Sequence, residues 1–350
     1  MKLFLREHVS FFVCLLLVGV ALAGCGGAPS SAENMTLSVG QITDDVPFFP
    51  FYVARQENFF KAQGLTLNPA AAPSLNSGSK LATAIEANGF DIAVGTISDV
   101  FTVSKVDPQI KVIGAITNDF LLDIIVTRKF EQQAHLTATS SLADKVKALV
   151  GKRVGISAAH SSTDALVTYL FKQQGLDPQK DVVKVSVGAN NPALVATLQT
   201  GRVDAVVIGL FGRVVAQLQG VGDPLISPAR GDVLGMQGQL FGVLYAKQSV
   251  INAKPKAVQA FIRAIAQAET FIQKNPGQSI PLLESYLKVD QQTARAIWDG
   301  ARASMPQSPQ VNQQTFDTAD QFQVQAGLLA SVLPYNNVVA TSTINTALSG

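Results

Sequence analysis

Residues 154–171 read VGISAAHSSTDALVTYLF, and within eight of them stand Ser157, Ser161, Ser162, His160 and Asp164. Two chemistries use such residues at the junction of a strand and a helix. One is nucleophilic attack by a serine with a histidine base. The other is capture of a ligand's polar end at a helix N-terminus. GISAA approaches the G-x-S-x-G elbow, but Ala159 stands where the last glycine should be. His160 and Asp164 lie on the same helix start as the serines, whereas a triad gathers its members from separate loops. The other nearby histidine, His135, precedes the serines. Binding fits better. The first turn of a helix leaves backbone N–H groups unpaired and carries positive partial charge. Ser161, Ser162 and Thr163 are expected to add hydroxyl donors, and His160 a donor or a charge. A carboxylate, sulfonate or ring carbonyl would suit such a place. The plainer alternative makes one serine a helix cap and His160 a solvated loop residue.

Four other segments sit where strands give way to helices: 43–51, 95–99, 188–192 and 209–213. In DDVPFFPFY, Phe48, Phe49 and Tyr52 are candidates for an aromatic wall, or for a staple that fixes the helix entry. Asp44 and Asp45 are candidate acceptors for an amine, or a solvated pair. Thr96 and Ser98, Asn190 and Asn191, and Phe211 with Arg213 complete the candidate ligand-binding set. Arg213 would balance an anion or lie exposed, and the asparagines would reach a ligand or cap a helix. The acidic pair favours a donor-bearing ligand, whereas His160, the serines and Arg213 favour an acceptor or an anion. A zwitterion, a small sulfonate or carboxylate, and a substituted pyrimidine all stay open.

Those loops require parallel βα layers to bring them together. FKAQGL at 60–65 and FKQQGL at 171–176 are 111 residues apart, and Asp91 and Asp204 in the later blocks LATAIEANGFDIAVG and LVATLQTGRVDAVVIG are 113 apart. Similar blocks in one order at one offset predict two related units. The first predicts strands near 35–41, 65–70 and 90–95, with helices near 51–63 and 79–87, then strands at 110–116 and 121–127. The second predicts strands at 152–157, 181–187 and 203–209, with helices near 162–174 and 192–200. After a strand at 241–246 the chain is expected to be helical to near 332. Asp91 and Asp204, at strand starts, are read as structural. Ligands in open α/β sheets bind beyond the carboxyl ends of strands, so the five segments predict a cleft between the two units.

The remaining features bound compartment and class. Lys2 and Arg6 precede the 13-residue apolar run FFVCLLLVGVALA, too short to span a bilayer and suited to a signal-peptide core. The run closes on LAGC, which resembles the lipobox of bacterial lipoproteins. That resemblance implies cleavage before Cys25, its lipidation, and a leader at 1–24, followed by a polar tether at 25–34. An ordinary secretory signal is the alternative. Cys14 lies in the leader, which leaves no disulfide framework and, with His135 and His160 alone, no zinc site. Lys and Arg number 27 against 25 Asp and Glu, without a basic cluster, so nucleic-acid binding has no electrostatic footprint.

PFFPFYVARQENFFKAQGLTL, GFDIAVGTISDV, LVGKRVGISAAHSSTDALVTYLFKQQGLD and GRVDAVVI, in this order, resemble the ABC-importer binding proteins for taurine, aliphatic sulfonates, nitrate and thiamine-pyrimidine precursors. The resemblance implies an α/β, two-lobed fold of the type II periplasmic-binding class, with mixed sheets and two interlobe crossings. These are expected near 123–128 and 238–246. Lobe 1 would comprise 35–125 and 243–350, with the C-terminal helices returning to it, and lobe 2 would comprise 126–242. The expected function is an extracytoplasmic solute-binding lipoprotein that delivers a small organic solute to an ABC permease. It would be a monomer without catalytic residues, cofactor or metal, and without the cysteine-rich motif of the fungal pyrimidine-synthesis relatives. An exported lyase on the same fold, or a ligand-sensing lobe for a membrane sensor, is the alternative.

Overall fold

A computed structural model of the protein describes residues 34–137 and 139–350. The leader, LAGC, Cys25 and nearly all of the tether lie outside them. Among the described residues the strands are β1 (Thr36–Leu37), β2 (Val39–Gln41), β3 (Thr66–Leu67), β4 (Ile92–Thr96), β5 (Ile110–Thr117), β6 (Leu122–Val126), β7 (Arg153–Ile156), β8 (Val183–Ser186), β9 (Ala205–Gly209), β10 (Asp223–Ile226) and β11 (Gly242–Lys247). They form two main sheets and a small parallel β1–β3 pair. One sheet has the order β2-β4-β11-β5, with β2 and β4 parallel and β11 antiparallel to β4 and β5. The other has the order β10-β6-β9-β7-β8, with β7 parallel to β8 and β9, and β6 antiparallel to β9 and β10. Helices Ile97–Ser104, Ser162–Gln173, Asn191–Gln199 and Leu210–Leu218 follow β4, β7, β8 and β9. The fold is therefore the mixed α/β architecture expected.

The chain changes sheets twice. Leu122 already pairs with Gly209 of β9, so the first change runs through 118–121 rather than 123–128. Residues 242–247 pair with β4 and β5 from their first residue, so the return runs through 227–241.

The sequence repeat has a physical basis. Gly64 and Gly175 both take φ +69°, the left-handed conformation that ends a helix at little cost for glycine. The leucine after each returns its N–H to a phenylalanine carbonyl, Leu65 to Phe60 at 2.9 Å and Leu176 to Phe171 at 3.0 Å. Asp91 accepts from Ser38 N at 2.8 Å and Asp204 from Arg153 N at 2.8 Å. Each carboxylate thus ties the start of its strand to the strand beside it. The helix expected at 51–63 is two helices, Phe49–Gln56 and Phe59–Ala62, because Asn58 adopts φ +58° between them. Asparagine tolerates that region better than most residues.

The C-terminal helices do not all return to the first sheet's side. Pro255–Lys274 packs on Phe49–Gln56 and Phe59–Ala62, where Phe261 stacks on Phe60 with centroids 4.9 Å apart. Gln291–Ala301 instead packs on Leu210–Leu218. Gln313–Ala326 lies against both Ser162–Gln173 and Ile97–Ser104, and its Phe322 touches Phe120 and Tyr169. No helix among the described residues is long and apolar enough to cross a membrane.

Candidate functional site

The carboxyl ends of β2, β4, β7, β8 and β9 lead to one cavity of about 70 Å³. Ile42, Thr43 and Asp45 follow β2, Thr96 ends β4, Ser157 follows β7, Ala189 and Asn191 follow β8, and Gly209 ends β9. Leu122 and Phe241, next to the sheet changes, close it, together with Ser161, Ser162 and Thr163 at the start of Ser162–Gln173. Both sheets contribute, and this is the end at which an α/β sheet presents helix N-termini.

The hydroxyl cluster is internally bonded. Ser161 Oγ donates to Ala158 O at 2.7 Å and accepts from Asp164 N at 3.4 Å, which makes it the helix cap. Ser157 Oγ donates to Ser161 Oγ at 2.9 Å, and Thr163 Oγ1 accepts from Ser157 N at 2.8 Å. Thr163 Oγ1 also lies 2.7 Å from Ser161 Oγ and 3.0 Å from Ser157 Oγ. Across the cavity, Thr96 Oγ1 donates to Asp99 Oδ2 at 2.8 Å. An ionised carboxylate only accepts, so the 2.9 Å contact between Thr96 Oγ1 and Ser162 Oγ must carry the serine's proton. This bond joins the end of β4 in one sheet to the helix that follows β7 in the other. Thr96 N also donates to Asp99 Oδ2, completing a capping box, and burial pushes the Asp99 carboxyl up to about 6 against these two bonds. Asp99 needs Gly78 beside it, because a Cβ there would lie 2.0 Å from Asp99 Oδ1.

Asp45 is the buried carboxylate of the lining. Its Oδ1 accepts from Val46 N at 2.8 Å, and its backbone is held at both ends by the buried Tyr286 hydroxyl, which accepts from Asp45 N at 3.1 Å and donates to Asp45 O at 3.2 Å. Desolvation raises its pKa to about 6, while the Asn191 side chain and the Val46 N–H pull it down. Asn191 is 3% exposed, and its amide lies near enough to favour the ionised Asp45 although Nδ2 falls outside hydrogen-bonding geometry. Gly209 leaves room for the carboxylate, since a Cβ there would lie 2.3 Å from Asp45 Oδ2.

Of the thirteen candidates, Asp45, Phe48, Thr96, Ser161, Ser162 and Asn191 line the cavity. The other seven are held elsewhere. Asp44 is exposed and accepts from Gln41 Nε2. Phe49 packs against Tyr52 and Tyr286 in the core, which removes the proposed aromatic wall apart from Phe48. Ser98 Oγ accepts from Gln323 Nε2 at 2.6 Å. His160 is exposed at φ +61°, and its N–H donates to Asp164 Oδ2 at 2.8 Å. Asn190 is an exposed cap that accepts from Ala193 N. Phe211 is buried outside the cavity, and Arg213 pairs with buried Asp123 at 3.1 Å. Cys25, the lipidation candidate, lies outside the described residues. Sequence reasoning missed Gly78, Leu122, Phe241 and the Tyr286 clamp. None of them carries a motif; Leu122 lies just before the expected first crossing, and Phe241 lies within the expected second one but has nothing in its residue type to mark it for the cavity.

Two mixed sheets that meet over a small cavity at their strand ends, apolar in most of its lining and polar at the hydroxyls, Asn191 and Asp45, make up a periplasmic-binding-protein fold. The chain belongs to the NMT1-like family, whose model matches residues 28–280. It is 22% identical over 339 residues to YtlA of Bacillus subtilis, a protein named as a binding protein, with 94% of each chain covered. Among solved structures it resembles the alkanesulfonate-binding protein SsuA from Xanthomonas axonopodis pv. citri bound to MOPS. The TM-score is 0.65 at 21% identity, over 88% of this chain and 99% of that one. The periplasmic nitrate-binding protein NrtA from Synechocystis PCC 6803 gives 0.67 at 13% identity, over 90% and 88%.

Proposed function

We propose that the protein is an extracytoplasmic solute-binding lipoprotein. In this reading Cys25 carries lipid, and two lobes built on the two sheets close over a small organic solute and deliver it to an ABC permease. The observation that carries it is the cavity at the carboxyl ends of strands from both sheets, lined by buried hydroxyls, an amide and a carboxylate. The solute-binding names of the relatives are consistent with it. The bond from Ser162 to Thr96 and the fit of Asp45 against Gly209 are what closure over a ligand would produce. A catalytic reading lacks support in the cavity: Ser161 gives its proton to a backbone carbonyl, and the exposed His160 is a poor candidate for its base.

Native mass spectrometry of the purified protein tests the reading. A mass increment that denaturation removes, accompanied by a smaller scattering radius than the stripped protein, is expected. A protein that retains nothing and whose radius no solute changes would refute it. Cys25→Ala should abolish detergent partitioning, and unchanged partitioning would remove the anchor.

A further inference from the structure

We infer that the cavity selects a small neutral or cationic ligand that donates N–H hydrogen bonds to Asp45, and that it rejects anions. This rests on the solute-binding reading and narrows its ligand. The first ground is charge. Asp45 is the ionisable carboxylate of the lining, and no lysine, arginine or histidine stands among the lining residues. The cations that could have served are engaged or elsewhere: Arg213 pairs with Asp123, and His160 is exposed. The titratable groups around Asp45 are the Tyr286 hydroxyl on its backbone and exposed Asp44, and neither supplies positive charge. An anion would therefore face a buried carboxylate without a counter-charge, in a site where burial strengthens the repulsion.

The second ground is the count of protons. Ser161 gives its hydrogen to Ala158 O, Ser157 to Ser161, Thr96 to Asp99, and Ser162 to Thr96. Thr163 lies within 3.0 Å of two of these hydroxyls and engages its hydrogen there. What these hydroxyl side chains offer a ligand is lone pairs. Among the side chains of the lining, the donor without an acceptor at hydrogen-bonding geometry is Asn191 Nδ2, whose amide already favours the ionised form of Asp45 and has a second N–H to offer. An acceptor-rich wall, one carboxylate and one adjacent amide donor match an amidine, a primary amide or an amino-substituted ring, in which an N–H donor neighbours an acceptor. A sulfonate or nitrate, which needs several donors, matches poorly. The cavity of about 70 Å³ keeps the recognised group small, well below the roughly 300–1,000 Å³ of drug-sized sites.

Acetamidinium, acetamide, acetate and ethanesulfonate form a test panel in which the first three share a shape and differ in charge and donors. Binding to the purified protein, stripped of any retained solute, is followed by NMR titration. Acetamidinium and acetamide should bind. Acetamidinium should weaken as pH falls through about 6, where Asp45 takes up a proton; Asp99 titrates in the same range, so the part of the slope that Asp45→Asn removes is the part that belongs to Asp45. Asp45→Asn should weaken acetamidinium roughly 10- to 150-fold, the range for one hydrogen bond to a charged group. Asn191→Ala should weaken acetamide more than acetamidinium, since only the amide offers an acceptor to Nδ2. Acetate or ethanesulfonate binding that tightens as pH falls would overturn the inference while leaving the solute-binding reading intact. A protein that carries no solute and binds no member of the panel would overturn both.

Discussion

Gly209→Ala should separate closure from folding. Gly209 has φ −70° and ψ 167°, which alanine adopts without strain, so the substitution adds a methyl group and nothing else. The new Cβ would lie 2.3 Å from Asp45 Oδ2, 3.2 Å from Cγ and 3.3 Å from Oδ1. Ordinary contact begins near 3.4 Å, so the two groups must part by about 1 Å. Asp45 is poorly able to move. Its N–H and C=O are both held by Tyr286, and its Oδ1 by Val46 N. Asp45 follows β2 in one sheet and Gly209 ends β9 in the other, so the strain falls across the cavity. Overpacking of this kind costs about 1–3 kcal/mol. If the lobes can open, that cost falls on the closed form alone. Ligand affinity should then drop roughly 5- to 150-fold, with the urea midpoint of the ligand-free protein unchanged. Calorimetry with the retained solute and urea denaturation of the stripped protein measure the two quantities. Unchanged affinity combined with a 1–3 kcal/mol loss of folding stability would refute the reasoning, because the contact would then belong to a rigid core.

Four further substitutions follow from the same geometry. Glu269 is fully buried and neither carboxyl oxygen has a partner among the described residues; burial pushes its pKa well above the ordinary 4.5. The folded state therefore keeps a proton that the unfolded state releases, and wild-type stability should fall as pH rises above about 4.5, by about 1.4 kcal/mol per pH unit while the folded group stays protonated. Glu269→Met should remove that slope, so its stability advantage in urea titrations should widen between about pH 5 and 7, and a constant gap would refute the assignment. Ser161→Ala should cost about 1 kcal/mol of folding stability through the lost cap, whereas Ser162→Ala should leave the melt of the stripped protein nearly unchanged and weaken solute binding about 2- to 10-fold by removing the bond to Thr96; the reverse ranking in melts would refute the two roles. Arg213→Met should destabilise the fold by about 3 kcal/mol, since it leaves Asp123 buried without its ion pair, while affinity for the solute stays as in wild type; a selective loss of affinity would return Arg213 to the ligand site.

Strands were legible wherever β-branched residues run together between turn signals, as in IKVIGAIT and AVVIG, and the two αL glycines made the repeat visible. β10 was not expected, because Asp223–Ile226 is four residues long and contains Pro224. Proline is tolerated there because β10 lies at the edge of its sheet. Arg128–Gln133 and Leu142–Lys147 are helices of six residues each, too short to show a 3.6-residue period. The place of the site was legible for a topological reason: the loops after parallel strands lie at one end of a sheet. Its members were harder to read. Asp44 and Asp45 are neighbours, as are Asn190 and Asn191, and in each pair one faces the cavity while the other faces solvent. Nothing in residue type separates them; the backbone turn after β2 and after β8 does.

His160 and the serines show why the ligand's charge was harder to read than its place. As residue types they promise donors, and the resemblance to binders of sulfonates and nitrate points the same way. The αL backbone at His160 leaves its ring in an exposed position, and its N–H on Asp164 serves the helix start rather than a ligand. Asp99 then sets the polarity of the cavity without lining it. By accepting the Thr96 proton it obliges Ser162 to give up its own, so the contact between the two sheets consumes the donor that SST seemed to offer. A hydroxyl is donor and acceptor at once, and the nearest obligate acceptor decides which face is left for a ligand. In the ligand class inferred for this chain, the capping box at Thr96 and Asp99 and the separate carboxylate of Asp45 both favour the donor.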